Sequence, residues 1–356
     1  MTSISPSERL FASALSRESS PSLEDCQELL SRYGNQSSAY FTLQQGARRF
    51  GVPGLGYIAY QPVAWPGLRF NVVFANPVCD PRSRPWLMRA FLNKVPGRHL
   101  FIGIDQTVAA ELGQMGLHIN EFGTEFTIDS RSFTVRGKDK KQIRHAANLA
   151  RRAPVEVREE SWQDVTEGGV EGISRCWSRH KAVGNRELSL LTRPPVMGDE
   201  WQVRKFYGYL EGELLGYVFF DPYFREGQVI GYTANILRQD TDRSPAGLLD
   251  YIILQAMEKF HQEGVFELSL GIAPLHNITA IPGDRWLLRR IGQGLYNHGN
   301  RFYAFKALSY HKSRYRGQEC KWYMASDRSS ALSIAWSILQ GTGVLQLPGL
   351  TRPSPA

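Results

Sequence analysis

The hydrophobic pattern is clearest in the second half of the chain. The runs "VRKFYGYL", "ELLGYVFFDPYF" and "QVIGYTANILR" are aromatic and β-branched, and the short polar breaks "EGE" and "REG" separate them. This predicts three antiparallel strands in a meander. A polar turn follows, after which Leu249, Ile252, Ile253, Ala256, Met257 and Phe260 recur at three- and four-residue spacing. That spacing predicts an amphipathic helix from about Ala246 to Gln262, ended by Gly264. Phe266, Leu268, Leu270 and Ile272 then alternate as the buried face of a strand does.

The first half repeats the order more faintly. "GLGYIAYQPVAW" and "LRFNVVFANPV" read as strands, "CDPRSRP" as a turn, and "WLMRAFLNKV" as a helix. "RHLFIGID" and, after a further helix, "GLHINEFG" read as strands again. Meander, turn, helix and strand is the core order of the acetyltransferase-like (GNAT) fold, whose turn before the helix binds a pyrophosphate or another acyl donor. The expectation is an α/β (α+β) chain of two tandem acetyltransferase-like domains, each a mixed, mostly antiparallel sheet flanked by helices. The boundaries expected are 36–135 and 161–325, joined by a basic connector helix over 136–160. Residues 1–35 are expected to form a short helix with a loose leader, and 326–356 a docked C-terminal helix and tail.

With 356 residues the chain can bury a substantial core without cross-links. Cys26, Cys79, Cys176 and Cys320 lie far apart, with no partner at metal-ligand spacing, so neither a metal site nor a disulfide framework is expected. No stretch offers the about 18 uninterrupted apolar residues of a spanning helix, and the N-terminus lacks the pattern of a secretory signal. A cytoplasmic location is expected, with contact at the inner membrane face as its variant. The net charge of +8 favours anionic partners: RNA, phosphorylated cofactors or acidic lipid headgroups.

Four segments carry candidate chemistry. In "RSPAGLL" the turn before the helix keeps Arg243 and Gly247 but lacks the second glycine of a coenzyme A cradle. Arg238, Arg243 and the helix dipole remain suited to a phosphate or carboxylate. In "RGKDKKQIRHAANLARR", seven Lys or Arg stand against one Asp, and Ile143, Ala146, Ala147 and Ala150 repeat at helical spacing. Lys140, Arg144 and Arg151 share the opposite face, placed to track phosphates. "GIAPLHN" ends a buried strand in His276 and Asn277, and His276 has the unperturbed pKa of a general base. Residues 296–325 interleave aromatics with Lys306, Lys312, Arg314, Arg316 and Lys321. Such a pattern suits base stacking with charge on phosphates, and equally a final strand whose long side chains cover the core.

Three blocks together resemble the soluble synthase domain of bacterial phosphatidylglycerol lysyltransferases and their stand-alone relatives. The first is "FGTEFTIDSRSFTVRGKDKKQIRHAANLARR", where Glu125, Asp129, Arg144, Asn148 and Arg152 fall on the family's pattern. The second is "NILRQDTDRSPAGLLDYII" with "SLGIAPLHN", which brings in Asn235, Asp250 and Asn277. The third is "FYAFKALSYHKSRY", where Lys306 sits on the phenylalanine-lysine pair. Two positions depart from the family: Asn235 replaces an acidic residue and His276 a serine.

The resemblance implies an enzyme, an aminoacyltransferase moving an amino acid from aminoacyl-tRNA to an acceptor, with a lipid such as phosphatidylglycerol first. It requires no cofactor beyond the donor. Juxtaposition, exclusion of water and oxyanion stabilisation suffice for an ester already activated. The implied catalytic set is Lys306, Arg238, Asn235 and His276, with Arg243, Asp250, Asn277 and Glu125 on the substrate and Lys140, Arg144, Arg151 and Arg152 on tRNA. The alternatives are an acyl-coenzyme A-dependent N-acyltransferase, or a non-catalytic module that grips RNA or acidic membrane.

Overall fold

The predicted meander forms as read, because each aromatic or β-branched run finds both faces covered. In a computed structural model that describes residues 20–65, 68–165, 167–179, 189–299 and 304–344, the three runs are β8 (Arg204–Leu210), β9 (Glu213–Arg225) and β10 (Gln228–Gln239). The amphipathic helix is α6 (Leu248–Gln262), followed by β11 (Glu267–Pro274), which pairs parallel to β10. The first half gives β1 (Arg48–Val52), β2 (Gly56–Trp65), β3 (Leu68–Phe74) and the short β4 (Val78–Cys79). Next come α2 (Arg84–Lys94) and β5 (Arg98–Ile104), parallel to β3. The same order therefore occurs twice.

All strands join one sheet, and its path shows how the halves are tied. The order is β1-β2-β3-β5-β12-β6-β11-β10-β9-β8-β7, with β4 on β2, where β6 is His118–Asp129, β7 is Glu156–Glu159 and β12 is Gln318–Ser326. The strand that follows each parallel pair in sequence has crossed to the other half. β6 pairs with β11 rather than β5, and β12 inserts between β5 and β6.

Helices cover both faces. α1 (Leu23–Tyr33) and α9 (Ala331–Gly341) share one core with β2, β3 and β5, while α2 and α3 (Gln106–Gln114) share another with the same strands. Over the second half, α4 (Lys141–Arg152) and α6 close one core and α5 (Glu167–Arg179) the other. The alanine stripe decides how α4 lies. Ile143, Ala146, Ala147 and Ala150 are buried as their spacing predicts, and the helix approaches so near α6 that a Cβ on Gly247 would stand 2.3 Å from the Ala146 carbonyl oxygen.

Residues 296–325 hold more than a final strand. They contain the end of α7 (Trp286–His298), α8 (Phe305–Ser313) and β12. Of the expected C-terminal helix, Ala331–Gly341 is helical and residues 345–356 lie outside the described part, as do residues 1–19 of the expected leader. No helix among the described residues is long and apolar enough to cross a membrane.

Candidate functional site

Pairing between the parallel strands β10 and β11 runs only from Gly231–Glu267 to Thr233–Ser269. Beyond that point Thr233 to Arg238 of β10, and Leu270, Gly271, Ile272 and Pro274 of β11, line one cavity of about 630 Å3. The same cavity touches Trp322 and Met324 of β12, Asn120 to Phe122 of β6, Gly103 of β5 and Ala75 past β3. Its lining thus crosses five strand spacings, roughly 24 Å. α7 and α9 roof it with Leu288, Ile291, Leu295, Ile338 and Leu339. A long, mostly apolar chamber with a few convergent polar groups is the usual form of a ligand site.

Two bulges aim those polar groups. Asn235 falls in the register shift between Ala234 and Ile236 against β9, and Leu270 and Gly271 fall in the shift between Ser269 and Ile272 against β6. A bulge turns a side chain away from ladder alternation and is frequent beside active sites. Asn235 donates to Asp221 Oδ2 at 2.8 Å and accepts from Thr192 Oγ1 at 3.1 Å. Asp221 is fully buried and takes Arg193 in a fork, at 3.0 Å from Nε and 2.6 Å from Nη2. Arg193 also reaches Glu200 at 2.5 Å, and Lys205 lies 3.2 Å from the same carboxylate. The carboxylate missing at position 235 is therefore present one strand away, held by the buried Arg193.

The second polar group comes from α8. Phe305, Leu308, His311 and Lys312 line the cavity, three and four residues apart along one helical face. Lys312 Nζ donates to the Ile272 carbonyl at 2.7 Å, and burial pulls its pKa from 10.5 to about 7, with Glu125 acting weakly against this. Gly271 makes room for it: its φ is +73°, and a Cβ there would sit 3.3 Å from Nζ. His311 Nδ1 lies 2.6 Å from Arg314 Nη2. Because an arginine only donates, Nδ1 accepts and the proton sits on Nε2. Burial lowers the His311 pKa and keeps the ring neutral. Nε2 is buried without a partner.

Arg238, 3% exposed, also lines the cavity, with its guanidinium 4.9 Å from the centre of the Trp177 ring. Glu125 lies deeper. Ser269 Oγ at 2.5 Å and Trp322 Nε1 at 2.8 Å donate to it, and burial raises its pKa.

The model of the family described as "Phosphatidylglycerol lysyltransferase, C-terminal" matches residues 27–326. The chain belongs to this family. It is 23% identical over 273 residues to the phosphatidylglycerol lysyltransferase of Bacillus subtilis, which covers 74% of the chain and 30% of that protein. It is also 23% identical to the lysylphosphatidylglycerol biosynthesis bifunctional protein LysX of Rhodococcus opacus, over 91% of the chain and 29% of LysX. The chain thus spans about a third of the length of these relatives. Among solved structures, L-PGS of Bacillus licheniformis superimposes with a TM-score of 0.73 at 19% identity, over 90% of this chain and 96% of that one. The fold is shared with it.

Against the family pattern, the residues singled out from sequence divide into two groups. Asn235 and Arg238 line the cavity, and Glu125 lies behind its wall. The others serve elsewhere. Lys306 is exposed on the first turn of α8, a step round the helix from the cavity face. His276 lies tilted against the Phe126 ring and is hydrogen-bonded to the Tyr296 hydroxyl at 3.0 Å, outside the lining. Asn277 is exposed, and its carbonyl accepts from Lys321. Asp250 is a buried hub for Arg314 at 3.1 Å and Tyr315 at 2.8 Å. Arg243 braces its turn through Asp240 and Glu213. Asp240 also meets Cys176 and Asp242, their possible ligand atoms all within 4.8 Å, but its oxygens already accept the Asp242 and Arg243 N–H groups.

On α4, Arg144 donates to the Val135 and Gly137 carbonyls, and Lys140 covers the Phe133 ring at 3.8 Å. Arg151 and Arg152 are exposed at the end of the helix. The sequence placed catalysis on Lys306, with Lys312 only one of the charges of residues 296–325 and His311 not singled out. The signal was there in the Phe305, Leu308, His311 and Lys312 spacing, had the segment been read as a helix.

Proposed function

We propose that this chain is an aminoacyltransferase that moves an amino acid from aminoacyl-tRNA to a lipid hydroxyl, phosphatidylglycerol being the acceptor class suggested by the names of its relatives. One observation carries this reading: a long apolar chamber is lined by His311, by Lys312, whose pKa burial pulls to about 7, and by the buried Arg238. Apolar walls suit an acyl chain, and the polar groups suit an ester. Lys312 takes the proton as the acceptor oxygen bonds to the ester carbonyl carbon. His311 Nε2 and Arg238 donate to the oxygen that gains charge. When the ester bond breaks, Lys312 returns the proton to the departing ribose hydroxyl. Asn235, held by Asp221 and Thr192, orients the amino group of the transferred residue.

The exposed Lys306 on the turn that opens α8, with Arg151 and Arg152 on α4, supplies charge for the tRNA phosphates. We further read the two occurrences of meander, helix and strand as tandem acetyltransferase-like units that exchange their closing strands. The turn before α6 speaks against coenzyme A: it lacks the second glycine of a pyrophosphate cradle, and the α4 backbone packs against Gly247. The test is transfer of labelled amino acid from a charged tRNA pool into the organic phase with phosphatidylglycerol vesicles. Label that stays on tRNA with every lipid supplied overturns the proposal.

A further inference from the structure

We propose that the corner formed by the first turns of α7 and α9 is a docking surface for an anionic phospholipid bilayer. Trp286 is 65% exposed, Leu287 46% and Leu332 69%, the largest exposures among the big apolar side chains outside Leu23 and Tyr310. They belong to one place. The Arg285 guanidinium, just before α7, donates to the Asp327 carbonyl at 3.2 Å, and Asp327 lies three residues before the Ser330 cap of α9. A tryptophan and two leucines on neighbouring helix ends are what interfacial anchoring uses, since an indole sits at headgroup level with its edge hydrated.

The charge around the patch selects an anionic surface. Arg290 and Arg328 are exposed beside it. The carboxylates of this corner are occupied, Asp284 with Arg289 at 2.6 Å and Asp327 with Arg98 at 3.7 Å. Arginines thus outnumber acids, and each adds attraction to anionic lipid.

The cavity makes a bilayer the occupant, a choice that rests on the lipid-acceptor reading. α7 and α9 carry the exposed residues on their first turns and line the chamber with Leu288, Ile291, Ile338 and Leu339. The lining also reaches Arg289 and Asn120, and Asn120 is hydrogen-bonded to Arg285 at the root of the patch. The exposed apolar corner and the roof of the chamber thus belong to the same two helices.

The experiment is sedimentation of the full chain with sucrose-loaded vesicles, without tRNA, comparing phosphatidylcholine alone with phosphatidylcholine plus phosphatidylglycerol. Wild type is expected to bind the anionic vesicles and to weaken with salt. Trp286→Ser with Leu332→Ser should lower binding at least about tenfold. Arg290→Glu with Arg328→Glu should remove the preference for phosphatidylglycerol. Thermal midpoints that match wild type show that the variants fold. Unchanged vesicle binding in both variants overturns the proposal. So does a wild-type dimer that the apolar variant dissolves with no vesicle binding, or binding of tRNA alone by the arginines. Patch-dependent vesicle binding with no transfer keeps the docking surface and sinks the transferase reading; transfer with patch-independent binding does the reverse.

Discussion

Lys312→Met should change the pH dependence of stability in the way a buried lysine with a lowered pKa requires. In the folded chain its ammonium loses its proton near pH 7, whereas the unfolded chain keeps it to about 10.5. Between those values the unfolded state binds more protons, so the wild type gains stability as pH rises and carries the full burden of the buried charge below about 7. At about 1.4 kcal/mol per pH unit the whole interval is worth roughly 5 kcal/mol. Lys312 faces a cavity that admits water, so about half of this, on the order of 2 kcal/mol, is the expected effect. The methionine variant has no such term. Its lost bond to the Ile272 carbonyl costs about 1 kcal/mol at every pH and does not enter the difference. Urea unfolding of both proteins at pH 7 and pH 10 should show the wild type gaining about 2 kcal/mol on the variant. Parallel stability curves would refute a depressed lysine pKa and the proton-transfer role built on it.

Asp221→Ala leaves Arg193 with Glu200 as its one remaining carboxylate and should destabilise the chain by about 2–3 kcal/mol in denaturant unfolding, more than loss of an exposed ion pair. Gly247→Ala, which needs φ +85° and meets α4, should cost at least about 2 kcal/mol by the same measurement while leaving coenzyme A binding undetectable. Lys306→Ala should raise KM for aminoacyl-tRNA about tenfold with little change in kcat, since an exposed lysine binds phosphate without touching the reacting carbonyl. His311→Phe should lower kcat at least about a hundredfold with KM held, as expected for a donor that acts in the transition state.

The elements of the fold were legible where periodicity was strong. The meander of β8 to β10 and the helix α6 follow from aromatic runs and a clean apolar stripe, and the buried face of α4 from its alanines. The crossing of β6 and β12 between halves was not, because strand partners are chosen across some 200 residues and leave no local mark. The candidate site was half visible. Asn235 and Arg238, singled out from sequence, line the cavity, but Asp221 looked like one more residue in a strand. Its function as a carboxylate beside Asn235 appears only when β9 and β10 pair. Lys312 was hidden for another reason: a single lysine among basic and aromatic residues has nothing to distinguish it until burial removes its water. Asp250 fell on a family position and Arg243 on the turn before the helix, yet their partners are in the chain itself.

The most direct test of the central claim follows labelled amino acid from charged tRNA into lipid extracts at pH 6, 7 and 8, with wild type and Lys312→Met. The account predicts organic-phase label that rises with pH through about 7 in the wild type, as Lys312 becomes free to accept a proton, and almost none in the variant. Transfer by the methionine variant at the wild-type rate, with the same pH profile, would contradict it.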